Sequence, residues 1–186
     1  LQKGDRFFWK MTTRSAKDSW YYKEQNLFAS ILSSGVKPVR TPLRKCEASS
    51  AVDVVSAMAG SSRVSSDCES YLQWNVKEQS KNPLKIVIQH WVEFPEEMEF
   101  RCFAFNGKIT AINQLCWSSY IEYLDKYPAF QQQILDAIMA LHEVVKEHLP
   151  WQNYIMDVIY HKDKDCAQIC EFNPWGPYSC TGSQLF

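Results

Sequence analysis

Three oxygen-bearing side chains toward the C-terminal end have the types and spacing of a site for a hard cation. Glu171 and Asn173 lie two residues apart on a strand candidate, so both project to one face. Asp157 interrupts the apolar run Ile155-Met156-Asp157-Val158-Ile159 on the preceding strand candidate. An acid among core positions is unfavourable unless something positive pairs with it. Neither strand carries a lysine or arginine between these residues. Mg²⁺ takes carboxylate and amide oxygens octahedrally and shares its other positions with phosphate and water. A structural reading stays open beside this one, with Asp157 satisfied by an arginine and Glu171-Phe172-Asn173 closing a strand.

Two cations could serve such a site. Arg101 sits mid-strand in Glu99-Phe100-Arg101-Cys102-Phe103, on the same face as Glu99. A planar guanidinium inside a sheet grips a carboxylate or a phosphate through two parallel bonds, so an ion pair with Glu99 or the acid cluster is the alternative. Lys10 follows Phe7-Phe8-Trp9 near the end of the first strand candidate. A sheet lysine aimed at a cleft is the usual point charge on nucleotide phosphates, though most lone strand lysines are solvated.

The elements that must hold these residues are legible in outline. Arg6 to Met11 reads as a short aromatic strand. Residues 51–58 read as a helix stopped by Ala59-Gly60-Ser61-Ser62, and a second helix is expected from Ser65-Ser66 through Tyr71. Leu84 to Ile88 leads toward Trp91-Val92-Glu93-Phe94 as a strand interrupted at Gln89-His90. Asn106-Gly107 between Met98–Phe105 and Lys108–Leu115 marks a hairpin, since both turn residues must take positive φ. Pro128 to Leu149 forms one helix with Phe130, Ile134, Ile138, Leu141 and Val145 on a single stripe, ended by Pro150. A second hairpin follows, Tyr154 to His161 and Cys166 to Asn173 around Lys162-Asp163-Lys164-Asp165. Parity decides its geometry: Asp157 faces Glu171 only across a loop with an odd number of residues, and a loop of 162–165 throws it to the opposite face. Strands and helices mix without βαβ alternation, which implies an α+β class with a largely antiparallel sheet.

Composition narrows the function. The 186 residues suit one domain, 46% are apolar, 22% are charged and the formal net charge is −1. That balance gives no support to a general nucleic-acid binder. No apolar run reaches membrane-spanning length, and the start has no signal-peptide core. The first residue is Leu1, so a trimmed domain or fragment is expected. Seven irregularly spaced cysteines fit a reducing compartment better than a disulfide or zinc framework. The four histidines have no metal-ligand spacing and read as surface or helix-face residues, and the tryptophans and tyrosines read as core. P-loop, dinucleotide-binding and serine-hydrolase motifs are absent from the sequence.

The ordered set of motifs resembles the cell division cycle protein 123 family. Its marks are Phe8-Trp9-Lys10-Met11, Ser15-Ala16-Lys17-Asp18, Glu99-Phe100-Arg101-Cys102-Phe103 with the Asn106-Gly107-Lys108 hairpin, and Ala111-Ile112-Asn113-Gln114. They continue through Tyr120, Asp157-Val158-Ile159-Tyr160, Glu171-Phe172-Asn173-Pro174-Trp175-Gly176 and the closure Thr181 to Phe186. The resemblance implies a two-lobed ATP-grasp-like fold that binds ATP through Mg²⁺. It implies Lys10 and Arg101 as phosphate ligands, Asp157, Glu171 and Asn173 as metal ligands, and adenine near Gln89-His90-Trp91. It also implies a cytosolic, chaperone-like assembly factor for eukaryotic translation initiation factor 2 that binds the gamma subunit, without implying turnover. The alternative is a catalytic ATP-grasp ligase that forms an acyl phosphate. There are departures: Glu171 stands where an Asp is expected, Thr12-Thr13-Arg14 replaces Asn-Trp-Ser, and the far N-terminal segment is missing. The Asp157–Glu171 spacing is also one residue long, which implies a different hairpin loop.

Overall fold

The computed structural model describes residues 6–13, 15–16, 18–19, 46–74, 81, 83–115 and 122–176. The chain divides into two units, Leu1–Glu93 and Phe94–Phe186.

In the first unit, strand β1 (Phe7–Met11) alternates strictly. Phe7, Trp9 and Met11 are buried, while Phe8 and Lys10 are half-buried on the other side. It lies between β2 (Glu47–Ala48) and β3 (Ile86–His90), both antiparallel to it. Helices α1 (Ala51–Ala59) and α2 (Ser62–Leu72) contribute Val54, Ala57 and Val64 to the core around Trp9. A capping box of Ser50 and Asp53 starts α1. Helix α2 starts a turn earlier than the sequence implies, because the Ser61 hydroxyl accepts from the Val64 amide at 3.2 Å. Strand β3 also differs from expectation: Gln89 and His90 belong to it, and it ends before Trp91. Its ladder matches the five residues of β1, from Phe7↔His90 to Met11↔Ile86, and one further bond runs from Trp91 N to Arg6 O at 3.2 Å.

The second unit is a four-stranded antiparallel sheet, β5-β4-β6-β7, packed on one long helix. Strands β4 (Glu99–Phe105) and β5 (Lys108–Gln114) form the expected hairpin, with φ of 48° at Asn106 and 70° at Gly107. That turn is fastened to the chain ahead of β6. Gly107 N donates to Gln152 O, and Asn106 N donates to Asn153 Oδ1, both at 2.8 Å. Short helix α3 (Glu122–Lys126) precedes α4 (Pro128–Lys146), whose Ile134, Ile138 and His142 are buried. Helix α4 ends before Pro150, with Glu147 at its C-cap. His142 is 1% exposed, so this histidine belongs to the core rather than the surface.

Strands β6 (Tyr154–His161) and β7 (Cys166–Pro174) enclose a four-residue turn at 162–165. On parity alone this length would separate Asp157 from Glu171. A β-bulge reverses the outcome: Val158 pairs with Ile169 but Asp157 pairs with Glu171, leaving Cys170 as the extra residue. Ala167 and Ile169 therefore pack on the helix-side core, and beyond the bulge Phe172 does so. The residue by which the spacing exceeds expectation thus sits within the strand rather than in the loop.

Candidate functional site

Alternation sorts the sheet of the second unit into two faces. Phe100, Cys102 and Ala104 of β4 join Tyr154, Met156, Val158 and Tyr160 of β6 against α4. Glu99, Arg101 and Phe103, with Ile155, Asp157 and Ile159, take the opposite face. One transverse row crosses all four strands on that face: Asn113 beside Arg101, Arg101 beside Asp157, Asp157 beside Glu171. Asn173 stands two residues on, opposite Ile155.

The row is held together by charge. Arg101 Nε donates to Asp157 Oδ1 and Arg101 Nη2 donates to Asp157 Oδ2, each at 2.7 Å. Asn173 Nδ2 adds a bond to Asp157 Oδ2 at 3.1 Å. Asp157 is 1% exposed, Arg101 8% and Glu99 4%, so the pair lies where neither charge is solvated. The positive partner that the hairpin lacks thus comes from β4, the arginine that the structural reading of Asp157 expects. Hydrogen bonding to Asp157, against the opposing effect of burial, holds the Arg101 guanidinium above its ordinary value, and the charges of Asp157, Glu171 and Glu99 add to this. One guanidinium therefore faces three carboxylates. Burial, with the charge of Asp157, pushes the Cys102 thiol up to about 12, so it stays protonated in the core against α4.

Among the described residues no three His, Cys, Asp or Glu side chains converge as a metal site. The donors present are two carboxylates in register and one amide, all hard oxygens suited to a magnesium-type ion. Asn173 turns its nitrogen to Asp157, which leaves its oxygen as the end available to a cation. The donor chemistry fits, while Asp157 is held by Arg101.

In the first unit, Lys10 pairs with Val87 on the side of β1 opposite Trp9. Trp91 is half-buried, with the Arg6 guanidinium carbon 5.8 Å from its ring centroid and its indole Nε1 buried without a hydrogen-bond partner among the described residues. Sequence reasoning placed Asp18 in a family motif but assigned it no role. Its carboxylate accepts from the Ser61 hydroxyl at 2.6 Å, the Ser62 hydroxyl at 2.7 Å and the Arg63 amide at 3.1 Å, tying the segment after β1 to the start of α2. Burial alone would raise its pKa, but those bonds prevail and lower it to about 2. The run Ser61-Ser62 beside a lone loop acid was the available signal, and only the fold brings them together. Trp175, two residues beyond Asn173, packs on Phe103 and Phe105 with ring centroids 6.2 and 5.8 Å apart. The closure Thr181 to Phe186, together with Lys17 and Tyr120, lies outside the described residues.

Comparison with known proteins adds an independent line. The D123 family model matches residues 41–186. The translation initiation factor eIF2 assembly protein of Dictyostelium discoideum is 30% identical over 103 residues, covering 54% of this chain and 26% of that protein. The protein of that name from Xenopus laevis is 27% identical over 103 residues, covering 55% of this chain and 29% of the relative. The matched stretch is thus under a third of the curated relatives' length. The structure of Cdc123 from Schizosaccharomyces pombe superposes with a TM-score of 0.68 at 21% identity, covering 98% of this chain and 64% of that one, which establishes the fold. The antiparallel sheets, the motif order and the match across most of its length converge, and the chain belongs to the D123 family, that of the cell division cycle 123 proteins.

Proposed function

We propose that this chain is the ATP- and Mg²⁺-binding, ATP-grasp-type part of an assembly factor for translation initiation factor 2. The observation that supports the reading is the row in which the buried Arg101–Asp157 pair stands in register with Glu171, with Asn173 bonded to Asp157 on the same sheet face. In this reading Asp157, Glu171 and Asn173 hold the metal and Arg101 meets the phosphates. Lys10 and Trp91 are the first unit's candidates for phosphate and base. A bound magnesium ion would neutralise phosphate charge and orient the triphosphate. The sheet register supports the reading, with the bulge at Cys170 keeping Glu171 and Asn173 on the face of Asp157. The relatives' name motivates the partner, and the gamma subunit is the component we assign. The role needs no turnover and belongs in the cytosol; among the described residues no helix is long and apolar enough to cross a membrane.

Isothermal titration with ATP, with and without Mg²⁺, tests the reading on wild type and Glu171→Gln. Glu171 is half-buried, and glutamine keeps its shape while removing its charge. Mg²⁺-dependent binding that weakens in Glu171→Gln is expected. A folded wild type that takes up no nucleotide with Mg²⁺ present would sink it. Titration of the gamma subunit into the loaded protein then checks the partner.

A further inference from the structure

We infer that Arg101 is the built-in counterion of the metal site, so that it and a divalent cation compete for Asp157 and metal enters only together with a phosphate. The inference rests on the nucleotide reading above and goes beyond it, because it fixes the order in which ligands are accepted.

Both oxygens of Asp157 are engaged by the Arg101 fork at 2.7 Å, and Oδ2 carries the Asn173 amide as well. A carboxylate oxygen offers two lone pairs, so Oδ2 is saturated and Oδ1 retains one. A magnesium ion bound there would place two positive charges within a few ångströms of the guanidinium. At an effective dielectric near ~20, such a repulsion is worth more than tenfold in affinity. Arg101 is 8% exposed, and its guanidinium gives up the carboxylate only for another anion with two oxygens that accept parallel bonds. A phosphate is that anion. Arg101 therefore keeps Asp157 neutralised while the site is empty of nucleotide, which avoids an uncompensated buried charge. It moves to phosphate as the metal takes its place, so free Mg²⁺ is refused and the metal–nucleotide complex is accepted.

The test is titration of MgCl₂ alone, by calorimetry and thermal melting, into wild type, Arg101→Met and Arg101→Lys. A parallel titration of wild type with ATP and Mg²⁺ is followed at the Arg101 Nε–H resonance. Wild type should respond weakly to free Mg²⁺, Arg101→Met should bind it at least about tenfold more tightly, and Arg101→Lys, which has lost the fork, should fall between. In wild type the Nε–H signal should be protected from exchange. It should shift with ATP and Mg²⁺ together but stay in place with Mg²⁺ alone. Equal affinity for free Mg²⁺ in wild type and Arg101→Met would overturn the inference, as would binding of ATP with Mg²⁺ that leaves the Nε–H signal unmoved. If Arg101→Met fails to fold even with Mg²⁺, the resonance in wild type decides. Absence of any ATP binding by wild type is a separate outcome that removes the nucleotide reading, whereas the metal arm reads the competition directly.

Discussion

Replacing Asp157 with alanine should be among the most damaging single changes in the second unit. The substitution removes two charge-assisted bonds of 2.7 Å and leaves a guanidinium that is 8% exposed without its carboxylate. Each bond to a charged group contributes about 1.5–3 kcal/mol. Breaking a buried pair by deleting one partner costs about 3–5 kcal/mol. A domain's total stability is only about 5–15 kcal/mol, so Asp157→Ala should lose about a fifth of it or more. The double variant Arg101→Met/Asp157→Leu removes both charges of the pair together and should be at least about 1 kcal/mol more stable than Asp157→Ala, with Glu99 remaining as a buried acid on this face. Urea melts followed by circular dichroism give the two free energies, and hydrogen exchange of the β4 and β6 amides assigns the loss to this unit. A loss below about 1 kcal/mol in Asp157→Ala, or a double variant no better than the sum of its singles, would refute the argument.

In the first unit, Asp18→Ala should cost about 1–2 kcal/mol, as loss of a helix cap does, measured by thermal melting. The Asp18 carboxyl is lowered from 3.8 to about 2, so its contribution is complete above pH 3.8 and disappears as pH falls through 2. Asp18→Asn should lack that acid limb. Burial holds the His142 imidazole below its ordinary 6.5, so just below pH 6.5 the unfolded chain binds more protons than the native one. Stability of the second unit should therefore decline as pH drops through that window, and His142→Leu should flatten the decline in pH-dependent urea midpoints. Deleting Cys170 should convert the bulged hairpin to a regular one that still pairs Asp157 with Glu171, leaving ATP and Mg²⁺ affinity within about threefold of wild type. Loss of binding in a folded deletion variant would show that the bulge itself shapes the site.

Much of this architecture was legible because short-range chemistry specifies it. Asn106-Gly107 could be read from two residues, since few others take positive φ in succession. The α4 stripe could be read from its spacing, although Glu147 rather than Pro150 marks the helix end. Arg101 stood out as a charge in an apolar strand, but its partner did not, because pairing of β4 with β6 joins residues 56 apart in sequence. The bulge at Cys170 carried no local signal: a cysteine suits a paired position as well as an extra one, and simple parity counting fails wherever a strand holds an unpaired residue. Asp18 was hidden for the same reason as the Arg101 partner. Its cap lies 43 residues away, and an acid in a polar loop looks solvated until the fold supplies donors.

The fastening of the Asn106-Gly107 turn to Gln152 and Asn153 also bears on how the chain folds. A hairpin with so short a turn closes within microseconds, long before a strand half a unit away can find its place. Its tip then presents two amides whose acceptors immediately precede β6, so an early-formed local structure works as a stop against which a late-arriving strand is indexed. A slip of one residue along β4 would break both amide bonds and part Arg101 from Asp157. Fidelity of the buried charge pair is thereby checked during folding, about 17 Å up the ladder, by two uncharged backbone groups.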